Sequence, residues 1–438
     1  MRRYRNPPQP ARASRRATPD GDALALAATL RDGGSDAVVA QRVLRSLMER
    51  CVAYPPEPGD IAEVVAAVVD TMHAHPRDKA VAAPGLSSLR MMLAEDNLTR
   101  EAWRAMDRDA VVAVALATLP LREGNGINDV FFLGAFSVVA MMYMPGFDMQ
   151  RRTAEVRDAR APPEVIEALL AAARPQLRDP EAVKFVCHNF CMLAQAARER
   201  EGLARFALDA LREHPSSRNV AAKALGALQY CVDMNVDWRV DSSAGLAPST
   251  VDEATGLAMA ALRRFPEHAE TQGAGLLCVQ MQFRCLWCDD PARGYLPLQE
   301  FETRADEASD VAMAALRRLG TREQYPALSA LQLFAAMSGF NDVAWSSVVR
   351  VCGAKEDREL LRRVAAHCAA NLDGCCADIM RLLCTPCDGC GEPQRNMPKA
   401  CARCRKARYC SPECQRAQWP KHKKSCAPKA AAPSTPGA

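Results

Sequence analysis

The chain has 438 residues, 49% hydrophobic and 25% charged, with a net charge of +4. That length suits two or three domains or one repeat array, and the charge is too small to imply a nucleic-acid or membrane partner for the whole chain. Aromatics are 5% and alanine dominates many segments, which favours helix and argues against an all-β sandwich.

Residues 1–19 hold six arginines (Arg2, Arg3, Arg5, Arg12, Arg15, Arg16) and no acid. Pro7, Pro8 and Pro10 prevent a regular helix there. No apolar run follows, so residues 1–20 read as a disordered basic leader rather than a secretory signal; an organellar transit peptide is the alternative. From residue 21 to 384 the pattern predicts helices. Three segments align without gaps: Met72–Leu86, Leu211–Leu225 and Leu262–Leu276. In each, proline (Pro76, Pro215, Pro266) falls four residues after the first apolar anchor, and leucine ten residues after the proline. An amphipathic helix precedes the proline, as at Ala204–Leu211 and Ala254–Leu262. A helix of small residues follows, as at Ala221–Leu228 and Gly273–Val279.

A fourth copy is marked by the heptapeptide AMAALRR, at Ala258–Arg264 and again at Ala312–Arg318, with its second helix near Ala330 and Leu331 offset by one residue. Weaker copies lie at Asn128–Tyr143, Pro180–Leu193 and Glu359–Leu372, with longer loops near 145–162, 235–251 and 286–300. Helix pairs at such a period expose apolar stripes that only the next pair can cover, which is the logic of an α-solenoid. The pattern resembles armadillo-like repeats, and that resemblance implies a concave surface for extended partners. The uncharged run Val130–Met144 would span about 22 Å as a helix, short of a ~30 Å bilayer core, so it reads as a fully buried helix. With no signal and no membrane span, a reducing compartment is expected, cytoplasmic or nuclear, where cysteines pack as small hydrophobes or bind metal.

Twelve of the 19 cysteines are scattered over residues 1–386; the other seven fall in 387–426 with one histidine. The order is Cys387-x2-Cys390-x10-Cys401-x2-Cys404-x5-Cys410-x3-Cys414-x7-His422-x3-Cys426. Eight thiolate or imidazole donors in forty residues suit two tetrahedral zinc ions, and so polar a segment needs the metal for its folding free energy. The segment 384–429 carries eleven Lys/Arg and three Asp/Glu. Other candidates are bland. Cys285-Leu-Trp-Cys288 lacks a partner pair; Cys187 and Cys191 share a helix face with His188 between them and suit core packing; no glycine-rich phosphate loop or catalytic constellation stands out.

The spacing resembles a MYND-type zinc finger, with Tyr409-Cys410 before the C-x3-C pair, Gln415 after the sixth ligand, Trp419 four residues on, and a final H-x3-C. A RING or PHD finger would place histidine earlier in the series. The resemblance implies interleaved sites: Cys387, Cys390, Cys410 and Cys414 on one zinc, Cys401, Cys404, His422 and Cys426 on the other. It also implies a groove for proline-rich peptides lined by Gln415 and Trp419. A residue after the third ligand, which can be serine in the family, is here Ala402. Trp419 has a second reading, packing against Tyr409 and the knuckles. Pro420 is expected to end the helix or to start a new one. Some MYND fingers sit within lysine methyltransferases, but no strand-rich cofactor region accompanies this one. The expected whole is all-α: an armadillo-like solenoid over 21–384, a two-zinc finger over 387–426 and a disordered tail over 427–438. It is expected to act as a non-enzymatic adaptor binding protein partners. The alternative is a transcriptional or chromatin co-regulator contacting nucleic acid through the basic finger.

Overall fold

A computed structural model describes residues 22–54, 56–94, 99–121, 129–143, 160–197, 200–231, 246–286, 298–340, 342–368, 383, 385–391, 393 and 399–426. The leader, the tail, most of the three long loops, Cys288 and the side chain of Cys285 lie outside the described residues. The chain is mostly helical and divides into two compact units, residues 2–257 and 258–438.

In the first unit the helices are α1 (Ala23–Gly33), α2 (Ala37–Ala53), α3 (Ile61–Ala74), α4 (Lys79–Met92), α5 (Arg100–Ala105), α6 (Arg108–Ala117), α7 (Val130–Tyr143), α8 (Pro163–Ala173), α9 (Pro180–Ala196), α10 (Glu201–Glu213) and α11 (Arg218–Cys231); α12 (Pro248–Arg264) crosses the boundary. Their contacts form two rows. Helices α1, α3, α6, α8 and α10 touch in succession, as do α2, α4, α7, α9 and α11, and the rows meet at α1–α2, α3–α4, α6–α7 and α10–α11.

One turn recurs between the rows. Asp36, Asp78, Asp179 and Ser217 each donate their N–H to the carbonyl three residues back, on Gly33, His75, Gln176 and His214. Each then caps the next helix with its side chain, which accepts from Val38, Ala80, Glu181 and Val220 respectively. Pro76 and Pro215 sit in two of these turns, where a missing N–H removes no helical bond. The turn is tied further by histidine. His75 Nε2–H donates to Gly34 O at 2.6 Å, and His214 Nε2–H donates to Leu177 O at 2.6 Å. Both histidines therefore fasten the end of one first-row helix to the end of the preceding one. The small residues predicted for the second helix allow close approach: a Cβ on Gly85 would lie 2.6 Å from Met72 Sδ.

The uncharged run forms α7, buried along nearly its whole circumference against α4, α6 and α9. Phe132 and Phe136 stack 4.7 Å apart, and Phe136 meets Phe190 of α9 at 5.9 Å. Cys187 is fully buried, and the Cys191 thiol donates to Cys187 O at 3.1 Å, so this pair packs the core. No helix among the described residues is long and apolar enough to cross a membrane.

The second unit holds α13 (Ala269–Leu286), α14 (Leu298–Leu319), α15 (Gln324–Phe340), α16 (Asp342–Cys352) and α17 (Lys355–Cys368). The turn recurs here too, with His268 N–H on Phe265 O and Arg322 N–H on Leu319 O. Its helix starts at Ala269, seven residues after Leu262, but at Gln324, eight after Leu316. Glu323 N–H also bonds Leu319 O, so the turn at Gly320 is one residue wider, which is the predicted offset. A Cβ on Gly275 would lie 2.8 Å from Leu262, the same contact as Gly85 with Met72. Asp357 takes two 2.9 Å bonds from the Arg317 guanidinium, which joins α14 to α17.

Two findings differ from the sequence reading. The described part of the finger adds a short antiparallel pair, β1 (Lys399–Ala400) with β2 (Arg408–Tyr409), so the fold is not wholly helical. The strands pair because the Cys401–Cys404 knuckle turns the chain back on itself, with Cys401 N–H on Ala407 O at 2.7 Å. Helix α18 (Pro412–His422) also runs through Pro420 instead of ending before it. Its surroundings are exposed, so water can meet the carbonyl that proline leaves without a donor.

Candidate metal centre

Each half of the finger begins with a knuckle. In Cys387-Asp-Gly-Cys390, Gly391 N–H returns to Cys387 O at 2.7 Å; in Cys401-Ala-Arg-Cys404, Arg405 N–H returns to Cys401 O at 2.9 Å. Gly391 and Arg405 occupy the same place and both have positive φ, 80° and 56°. Backbone N–H groups then point at sulfur: Gly389 and Cys410 donate to Cys387 Sγ at 3.3 Å, and Lys406 to Cys404 Sγ at 3.5 Å. Gly389 is required by space, because a Cβ there would lie 2.7 Å from Cys414 Cβ and 2.8 Å from its carbonyl oxygen.

The remaining donors come from α18 and its flanks. Ser411 caps the helix by accepting from Cys414 N at 3.2 Å, which sets Cys414 toward the first knuckle. His422 lies at the helix end and Cys426 in the turn beyond it. The result is two clusters, Cys387, Cys390, Cys410 and Cys414 (site 1) and Cys401, Cys404, His422 and Cys426 (site 2), each with its ligand atoms within 4.8 Å of one another. The interleaving implied by resemblance is therefore the arrangement found.

The donor spacing fits zinc. With Zn–S near 2.3 Å, a regular tetrahedron has S···S edges of about 3.8 Å, and slightly less to an imidazole nitrogen. Cys390 and Cys410 sulfurs are 3.9 Å apart and those of Cys401 and Cys426 3.8 Å, those of Cys410 and Cys414 are closer at 3.3 Å, and Cys404 Sγ lies 3.4 Å from His422 Nε2. These contacts are edges of a ligand shell rather than thiol hydrogen bonds, and they make Nε2 the imidazole donor.

The electrostatics favour anionic donors. Burial raises the Cys387 thiol, but the N–H groups of Cys390, Cys410 and Gly389 outweigh it and bring it down to about 6. The Cys404 N–H, the His422 ring and the Arg403 N–H bring Cys401 to about 6. Without metal the proton stays on the partner: Cys410 is pushed up to about 12, first by the Cys414 sulfur 3.3 Å away, and Cys426 to about 11, first by burial. Zinc replaces those remaining protons, so binding releases them and acid reverses it. A thiol with a lowered folded-state pKa stabilises above its unfolded value and loses that contribution as pH falls through about 6. The full complement of zinc is thus expected at pH ~7.5 and its release between roughly pH 6 and 4, read with a zinc-sensitive dye. Zinc held at pH ~3 would contradict this donor set.

A MYND finger family model matches residues 387–426. This segment is a MYND finger. The match spans the same eight donors that the structure gathers into two metal-binding sites, consistent with two zinc ions. A search of curated proteins finds no match to the chain.

Within the MYND finger, Tyr409 is buried and meets the His422 ring edge-on at 5.9 Å. Trp419 also meets that imidazole, tilted at 5.8 Å, and remains 38% exposed. The indole therefore touches a ligand ring while part of it stays exposed. Gln415 is half-buried one turn earlier on α18, and Ala402 is exposed. The sequence reading did not find Gly389, Arg405 or the two histidine ties. For the histidines a signal existed, since both stand three residues after the apolar anchor.

Proposed function

We propose that this chain is a non-enzymatic adaptor whose MYND finger binds a proline-rich peptide while its helical region binds a second protein. The finger itself is a zinc-held protein-interaction module. The observation that carries the peptide reading is Trp419, an indole braced against the zinc-site imidazole and left 38% open, with Gln415 one turn away. A proline ring in an extended segment stacks on such a face without the ordering loss of a flexible side chain. Two rows of helices in residues 22–231, joined by one recurrent turn, support an armadillo-like stack for the second partner.

The test is titration of the zinc-loaded full chain with proline-rich peptides, wild type against Trp419→Ala. The variant is expected to keep two zincs and lose tenfold or more in affinity, about 1.4 kcal/mol. Equal binding, or loss of zinc, would make Trp419 structural and remove the groove.

A further inference from the structure

The charges of the finger divide between its two ends. Asp388 and Glu413, the acids among its described residues, adjoin site 1 ligands and are engaged: Asp388 Oδ2 accepts Arg408 N–H at 2.7 Å, and Glu413 pairs with Arg416 at 2.6 Å. At site 2 stand Arg403, Arg405 and Lys406 on the knuckle and Lys421, Lys423 and Lys424 at the end of α18. All six are exposed, and none forms an ion pair among the described residues. Each is within two residues of a site 2 ligand along the chain, and those ligand atoms lie within 4.8 Å of one another, so the six cluster about one site.

Exposed arginines without an ion pair among the described residues also occur along the helical region, Arg77, Arg90 and Arg178 among them; what sets site 2 apart is that six such cations fall within two residues of one set of ligands. Three thiolates with one Zn²⁺ would leave site 2 at −1, so most of the six positive charges about it are uncompensated and repel one another. One is also held against its backbone preference. Arg405 has φ 56°, where the sister knuckle uses Gly391 and where an L-side chain is strained. Strain of this kind, kept where glycine would serve, points to a function of the side chain.

We propose that the site 2 end of the finger docks an acidic, proline-containing peptide. Its proline lies on Trp419, and its Asp and Glu residues meet the six cations. This rests on the peptide reading of Trp419 above and adds the charge of the ligand. The row Gln415–Trp419–Lys423, at steps of four along α18 and into its cap, carries the ligand from platform to cations. A nucleic-acid strand fits less well. Trp419 is the exposed ring among the finger's described residues, and Tyr409 is buried, so successive bases have no series of stacking positions.

The test uses zinc-loaded full-length protein and three fluorescent probes: a diproline-core peptide flanked by glutamates, the same core flanked by lysines, and a single-stranded DNA of about 20 nucleotides. The glutamate-flanked peptide should bind at least tenfold tighter than the lysine-flanked one at ~50 mM salt, with the gap shrinking at ~300 mM as screening shortens. Arg405→Gly should raise the finger's unfolding temperature by relieving the φ strain and keep two zincs, yet bind the acidic peptide several-fold more weakly. Lys423→Glu with Lys424→Glu should erase the preference. Equal affinity for both peptides, unchanged binding by Arg405→Gly, or tighter binding of DNA would overturn the proposal. If both peptides bind equally and Trp419→Ala abolishes both, the platform stands and only the acidic ligand falls; if neither binds, both readings fall.

Discussion

Protein carrying Cys404→Ser is expected to hold at most one zinc per chain and to lose the fold of residues 387–426, while its helical far-UV signal stays near that of the wild type. Cys404 supplies one corner of site 2, and Lys406 N–H is aimed at its sulfur. The finger has little apolar core beyond the ligands themselves, Tyr409 and Ala407. Structural zinc contributes on the order of 10–16 kcal/mol to such modules, far more than so small a core can replace. The helices bury their own leucines, valines and phenylalanines and need no metal. Zinc analysis beside circular dichroism checks both halves, and two zincs retained by the variant would remove Cys404 from the ligand set.

The second large effect belongs to the helical core. Phe136→Ala should destabilise the first unit by about 3–5 kcal/mol, the usual cost of emptying a fully buried phenylalanine site. Phe136 is 0% exposed and has Phe132 at 4.7 Å, Phe190 at 5.9 Å and Phe185 at 6.4 Å. Those rings come from α7 and α9. Against a typical stability of 5–15 kcal/mol, the shift in the urea midpoint should be large. Zinc content should not change, since no zinc ligand lies near this cluster in sequence. A loss under ~1 kcal/mol would mean that α7 is not the buried helix described.

How far the sequence revealed this molecule depends on whether the deciding contact was local. The eight donors were legible because knuckle and H-x3-C spacings are short-range geometry. Their pairing was not readable from spacing, and came from family resemblance before the structure placed Cys387 with Cys410 and Cys401 with Cys426. The turns at Pro76, Pro215 and Pro266 were legible because proline and the following cap act within seven residues. The ties of His75 to Gly34 and His214 to Leu177 span 41 and 37 residues and left only an unexplained histidine in the alignment. Arg405 was invisible for the opposite reason: an arginine gives no sign of positive φ, which glycine would have advertised. Pro420 misled because a helix-breaking rule made for interiors was applied to the last turn of an exposed helix.

The order of the ligands along the chain also governs how the finger fills with metal. Site 1 closes the loop from residue 387 to 414 and site 2 the loop from 401 to 426, so the two share residues 401–414. Whichever ion enters first must gather a loop of more than twenty residues from a floppy chain. The second finds part of its own loop already drawn together, and closing what remains forfeits less chain entropy. A singly filled finger is then rarer than two independent sites would make it. When zinc is scarce, more of the chains hold none or two ions and fewer hold one than two independent sites would give.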